Sequence, residues 1–208
     1  MSRLLLIDPP TELVVTVAEA KTHLRVDHTD DDTLIQDLIE EATAHLDGQY
    51  GMLQRSLSPQ VWELYLDEFP IAYCDSSYPW ITIPLPPTRS VDVVAYTDAD
   101  GEEHGLVEGT DYEVDLFSTP ARIKPLSSGA WPTAKLNTAN TVRVRFSAGY
   151  EEETSTSGVP KPIKSAIKVM VADRYDNRES VTNQNVNQID IPMAAWRLLA
   201  PYRIHAFA

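Results

Sequence analysis

The spacing of apolar residues changes twice along this chain, and no other feature of the sequence limits its fold so strongly. Before about residue 55 and after residue 150, apolar side chains recur at helical intervals, whereas between these points they alternate with polar ones as in strands. The helical stripes at the two ends cannot each be buried alone, but together they can line one bundle. The sequence therefore predicts an α+β fold, a small helical bundle with an inserted antiparallel β module.

The helical segments carry start signals of their own. Thr16 and Glu19 form a capping box before a short helix, and a run of aspartates opens a second, longer helix. On that second helix His45 falls on the apolar stripe and is predicted to be packed. Pro160 opens a third helix, and a short fourth helix follows near the C terminus. We assign residues 1–55 to the N-terminal helices, 56–150 to the β module, 151–200 to the C-terminal helices and 201–208 to a tail.

The middle of the chain contains short β-rich runs separated by turn residues. Asp98-Ala-Asp-Gly101 is typical of a hairpin turn, and we prefer that interpretation to a calcium site. Six strands are predicted, over residues 61–66, 80–83, 91–96, 112–117, 121–124 and 142–146. They indicate an antiparallel sheet or a small sandwich.

The composition excludes several classes of function. A net charge of −14 argues against a protein that grips the nucleic acid backbone or docks on anionic lipid. The single cysteine, Cys74, rules out an internal disulfide framework and a multi-cysteine metal site. The sequence contains no nucleophile elbow, phosphate-binding glycine loop or long apolar segment. We therefore expect no catalysis, no cofactor, no metal and no membrane partner.

Two C-terminal features indicate surfaces for protein partners. The third helix carries a row of cations, Lys161, Lys164, Lys168, Arg174 and Arg178. This row is either an ordinary solvated face or a contact with the acidic first helices of a neighbouring copy. The last residues are unusually rich in aromatic and large apolar side chains, which either close the bundle or bind another protein. The candidates for binding are Trp196, Arg197, Leu199, Tyr202, Arg203, Ile204 and Phe207.

Several motifs together resemble one protein family. Residues 16–25, Thr-Val-Ala-Glu-Ala-Lys-Thr-His-Leu-Arg, precede an acidic loop and a long helix, as at the start of the head–tail connector (adaptor) proteins of long-tailed phages. Ile83-Pro-Leu-Pro-Pro87, Phe146-Ser-Ala-Gly-Tyr150 and Leu198-Leu-Ala-Pro-Tyr-Arg203 are similar to segments of the larger members. The resemblance extends over roughly residues 12–204.

The resemblance implies a structural virion protein of the neck, made in the host cytoplasm. Such a protein forms a ring, usually of twelve copies, beneath the portal protein, and it offers the stopper or tail protein a docking surface. DNA passes through the ring without sequence-specific binding. The C-terminal segment, residues 195–208 here, would engage the portal. Gene transfer agents use similar proteins, so the resemblance implies either a phage or such an agent.

Two other functions remain open from the sequence. One is a different neck or tail-completion protein, which would bind the tail tube. The other is a host-surface binding module whose ligand pocket lies in the β insert. The charge is consistent with a DNA channel, since acidic walls repel phosphate and let DNA slide. The acidic excess lies in residues 1–150, because the last 58 residues are neutral overall.

Overall fold

A computed structural model describes residues 2–71, 79–126, 130–132, 139–151, 158–177 and 191–204. Within these residues it contains four α-helices and eight β-strands, and the strands pair antiparallel throughout. The α+β class predicted from the sequence is confirmed. The chain divides into a β unit, Met1–Pro10 with Pro59–Tyr150, and a helical unit, Thr11–Ser58 with Glu151–Ala208.

The helical unit contains α1 (Val17–Leu24), α2 (Asp32–Leu46), α3 (Lys161–Asp176) and α4 (Met193–Leu199), and a 3-10 turn follows at Ala200–Tyr202. The predicted capping box starts α1. The Thr16 hydroxyl accepts a hydrogen bond from the Glu19 N–H at 3.2 Å, and the Glu19 carboxylate accepts one from the Thr16 N–H at 3.0 Å. This exchange satisfies two backbone donors that the first helical turn leaves free.

One apolar face of each helix contributes to the core of this unit. Buried side chains come from all four helices, among them Ala20, Ile35, Ile39, Leu46, Ile163, Ile167 and Leu199. The prediction that His45 is packed is wrong, because its side chain is exposed. Its neighbour Leu46 faces the core, and one residue turns a helix by about 100°, which carries His45 away from that face. No helix in the described part of the chain is long and apolar enough to cross a lipid bilayer.

The β unit contains two sheets. The larger one has the order β1 (Ser2–Asp8), β2 (Gln60–Leu66), β8 (Val142–Ala148), β4 (Thr88–Thr97) and β5 (Glu103–Leu106). The smaller one has the order β3 (Ile81–Thr82), β7 (Arg122–Pro125) and β6 (Tyr112–Asp115). Because β2 and β8 are neighbours, with Gln60 opposite Ala148, the chain enters and leaves the unit side by side.

Two strands of the larger sheet differ from the sequence prediction. We assigned residues 1–55 to the helices, but Ser2–Asp8 forms β1 and pairs with β2, with Leu4 opposite Leu64. The run Leu4–Ile7 is apolar without alternation, so its period alone does not identify a strand. The four-residue strand β5 was also missed, because it is too short to show alternation and contains Gly105.

The two sheets share one hydrophobic core. The larger sheet contributes Trp62, Val144 and Phe146, and the smaller one contributes Ile81 and Ile123. Between the strands, Phe69 stacks on Trp131 with the ring centroids 4.9 Å apart. The buried positions of β8 alternate with half-exposed ones, as the sequence predicted for a strand with one face in a core.

A pair of phenylalanine substitutions tests this core. Phe146 is 0% exposed, whereas Phe117 is fully exposed. We expect Phe146→Ala to lower the free energy of unfolding by about 3–5 kcal/mol, because it removes buried apolar surface and leaves a cavity. The matched control Phe117→Ala should change it by less than about 0.5 kcal/mol. Urea denaturation followed by tryptophan fluorescence measures both, and equal effects would contradict the assignment of the core.

Candidate partner-binding surfaces

The basic face of α3 is partly neutralised within its own subunit. The Lys164 ammonium lies 3.9 Å from the carboxylate of Glu19 in α1. The Arg174 guanidinium donates to the carboxylate of Glu41 in α2 at 2.7 Å. Two of the cations that we expected to meet a neighbouring copy therefore contact the first helices of their own chain.

Two other cations of this face remain available for a partner. Lys161 is exposed and Lys168 is half-buried, and neither forms an ion pair within the described residues. The fifth predicted cation, Arg178, lies outside those residues. The inter-subunit contact predicted for the face stays a prediction, and its strongest candidates are now Lys161 and Lys168.

The C-terminal candidates fall into a buried and an exposed group. Leu199 is fully buried in the helical unit, so it holds α4 in place and does not face a partner. Trp196 is 36% exposed, and Arg197 and Arg203 are also exposed. Phe207 lies outside the described residues.

One side-chain and one backbone hydrogen bond anchor the segment that follows α4. The Arg55 guanidinium donates to the carbonyl of Tyr202, and the Ile204 N–H donates to the carbonyl of Leu53 at 3.2 Å. Tyr202 and Ile204 are correspondingly half-buried. The segment thus folds back on its own unit, which agrees with the interpretation that it closes the bundle. Trp196, Arg197 and Arg203 remain on the surface.

The hairpin between β4 and β5 groups three possible metal ligands, Asp98, Glu102 and His104. The His104 imidazole lies 2.7 Å from one Asp98 oxygen, and the other oxygen accepts the N–H groups of Asp100 and Glu102 at 2.9 and 3.0 Å. The hydrogen bond with His104, followed by those from the backbone, lowers the pKa of Asp98 below its usual value. These contacts close the hairpin turn that the sequence predicted.

A charged cluster braces the larger sheet around Glu63. Its carboxylate accepts hydrogen bonds from the Tyr65 hydroxyl at 2.6 Å, from Arg143 at 3.1 Å and from Arg145 at 2.9 Å. Arg143 also donates to Glu103, so the cluster joins β2, β8 and β5. Burial raises the pKa of Glu63, but the hydrogen bonds from Tyr65 and the two arginines outweigh it and lower that pKa. Both carboxylate oxygens are occupied, which suits a structural brace.

The exposed aromatic residues Phe117 and Tyr50 were missed by the sequence analysis. Phe117 lies in the turn after β6, and Tyr50 follows the end of α2. The apolar pattern placed Phe117 inside a strand over residues 112–117. The signal that could have found it is Asp115-Leu-Phe-Ser-Thr-Pro120, whose aspartate, serine and proline are typical of a turn.

Comparison with known proteins finds a family match in the N-terminal part of the chain. Residues 14–75 match the family described as phage gp6-like head-tail connector protein. The matched segment includes α1, α2 and β2. The resemblance to head–tail connectors predicted from the sequence is therefore confirmed. A comparison with curated proteins finds no match.

Solved structures share the fold of this chain over nearly its whole length. A chain from "Neck of empty GTA particle computed with C6 symmetry" matches with a TM-score of 0.73 and 19% identity, covering 99% of this chain and 97% of that one. A chain from the virion of a native gene transfer agent (GTA) particle matches with a TM-score of 0.72, the same identity and the same coverage. A chain from "Neck of native GTA particle computed with C12 symmetry" gives 0.63 and 18%, covering 98% of this chain and 97% of that one. The TM-scores show a shared fold, and at identities this low the matches show the fold alone.

The charged cluster around Glu63 predicts how the stability of the protein depends on pH. Because the folded-state pKa of Glu63 is lowered, its ionised form stabilises the fold above its ordinary pKa of 4.5, and this contribution is lost as the pH falls through the lower folded-state pKa. We expect Glu63→Gln to cost about 1–3 kcal/mol at pH 7 and progressively less below pH 4.5.

Denaturation of the wild-type and variant proteins at several pH values measures this difference. The control Glu68→Gln replaces an exposed carboxylate of the same unit and should change stability by less than about 0.5 kcal/mol. A cost of Glu63→Gln that stays constant from pH 7 to acid would contradict the stabilising role of the charge.

Proposed function

We propose that this chain is a head–tail connector that assembles as a ring in the virion neck, beneath the portal protein. There it prolongs the DNA channel and provides the docking surface for the stopper or tail protein. The observation that carries this proposal is the fold shared over 99% of the chain with a neck component of a gene transfer agent particle. The C6 and C12 symmetries of the two neck structures support assembly around an axis. The role requires no catalysis and no cofactor.

The charge of the connector suits a channel through which DNA slides. At −14 the subunit repels phosphate, and a ring of subunits multiplies that repulsion along the path of the DNA. Cationic walls would instead bind the DNA backbone and retard its passage. DNA is therefore a passing cargo in this proposal, and the lasting contacts are with proteins.

The exposed C-terminal residues are the proposed contact with the portal. Trp196 and Arg197 lie on α4, and the buried Leu199 fixes that helix to the unit. Arg203 follows on the segment that the hydrogen bonds of Tyr202 and Ile204 hold down. Tryptophan and arginine on a fixed backbone are the residue types that contribute most to binding energy at protein interfaces.

Removing the two α4 side chains tests portal attachment. We expect the double variant Trp196→Ala, Arg197→Ala to fold normally but to bind DNA-filled heads at least about tenfold more weakly, because it loses an aromatic and a cationic anchor. Electron microscopy of the heads and quantification of the bound connector measure this effect.

The matched control for portal attachment is Met193→Ala, which removes another exposed side chain of α4. It should leave attachment unchanged. Wild-type attachment by the double variant would contradict the portal contact. Binding of the wild-type connector to tail tubes and not to heads would favour a tail-completion protein.

Lys161 and Lys168 form no ion pair within the residues that the structure describes, and we therefore expect ring assembly to be sensitive to salt. We expect Lys161→Glu, Lys168→Glu to reduce the number of complete rings on heads, because two attractive charges become repulsive ones. Raising the salt concentration should weaken wild-type assembly in the same direction. Counting complete rings in electron micrographs measures both effects.

The control for this test is Arg174→Gln, Glu41→Gln, which removes an exposed ion pair inside one subunit. It should leave ring assembly unchanged. Full occupancy of heads by the lysine variant at low salt would contradict the role of this face.

A further inference from the structure

The turn between β6 and β7 presents apolar side chains to solvent. Phe117 is 103% exposed and its neighbour Leu116 is 45% exposed, so the phenyl ring packs against nothing in the described part of the subunit. We call these two residues the knob. Large exposed apolar side chains placed side by side are typical of interaction sites.

The knob is held on an ordered turn. The Asp115 carboxylate accepts the N–H groups of Phe117 and Ser118 at 3.1 and 3.2 Å and the Ser118 hydroxyl at 2.7 Å. Lys124 lies 3.8 Å from the same carboxylate. Because this backbone is already fixed, Phe117 would lose little conformational entropy on docking, which favours its use as an anchor.

A groove of about 540 Å³ with a mainly apolar lining lies in the same β unit. Its apolar lining includes Leu66, Phe69, Ile71, Trp80 and Pro84, and Glu68 and Thr82 are its polar members. The groove is bordered by β3, whereas the knob follows β6. These two strands are the edges of the three-stranded sheet. The volume is in the range of sites that enclose apolar groups, and aromatic lining suits a phenyl ring.

The charges beside the knob and the groove are complementary. The Arg122 guanidinium and the Lys124 ammonium lie over the Trp80 ring, 4.8 and 5.0 Å from its centroid. Lys124 is paired with Asp115 of the same subunit, whereas Arg122 has no acidic partner among the described residues. On the knob side, β6 carries Glu113, whose exposed carboxylate has no cationic partner within the same residues. Opposite charges at the rim would orient an apolar contact between two copies.

We propose that the knob of one subunit docks in the groove of a second copy of this chain. A knob and a groove at opposite edges of one sheet form a heterologous contact, in which each subunit uses both features once and a closed ring can result. The inference deepens the ring assembly proposed above and rests on it. It assigns part of the inter-subunit contact to the β unit, in addition to the cations of α3.

Paired cysteines test the contact in the full-length protein. Leu116→Cys and Ile71→Cys are combined with Cys74→Ser, which leaves the Phe117 ring in place. Leu116 is 45% exposed and Ile71 is 58% exposed at the groove, so both changes spare the core. A short bifunctional thiol reagent is applied to the free protein at high concentration and to protein bound to heads. We expect a ladder of covalent multimers. The control pair Leu116→Cys with Tyr50→Cys replaces Ile71 by a more accessible site, 94% exposed, and should give none.

A binding measurement accompanies the cross-linking. Phe117→Asp should weaken ring assembly by about tenfold or more. Absence of the ladder from both samples, an equal ladder from the control pair, or full assembly of Phe117→Asp would overturn the inference. If the wild-type protein does not bind heads, the proposed function is wrong. Cross-linking of the free protein then still shows whether the knob contacts the groove of a second copy.

Discussion

The antiparallel pairing of β2 with β8 is the constraint on which the rest of the structure depends. The two strands are separated in sequence by most of the β unit, yet they lie side by side with Gln60 opposite Ala148. The chain therefore leaves the β unit beside the point where it entered. This arrangement allows residues 11–58 and 151–208 to form one helical unit around a common core, although a whole β unit lies between them in sequence.

Once the helices share a core, their surfaces acquire distinct roles. Pairing of Lys164 with Glu19 and of Arg174 with Glu41 uses part of the basic face of α3 inside the subunit. Burial of Leu199 fixes α4 and leaves Trp196 at the surface. In the β unit, the Glu63 cluster joins three strands, and the ordered turn after Asp115 presents Phe117. Each proposed contact thus depends on a neighbouring interaction that orders its backbone.

Features that arise from short-range patterns could be predicted from the sequence. The capping box at Thr16, the apolar stripe of α2 and the alternation of β8 are local, because neighbouring residues alone determine which way their side chains point. The misses have a common cause. β1 carries no alternation, β5 is too short to show any, and Phe117 continues the apolar pattern of β6 beyond the point where the strand ends.

The sequence by itself determined the class of fold, the order of helical and β segments and the resemblance to head–tail connectors, since these depend on the period and order of residues along the chain. Only the tertiary structure decided which charges and aromatic side chains remain for partners. It paired two cations of α3 within the subunit, buried Leu199 and exposed Phe117. The physical reason is that burial and ion pairing depend on residues far apart in the chain, such as Arg174 and Glu41, whose approach no local pattern encodes.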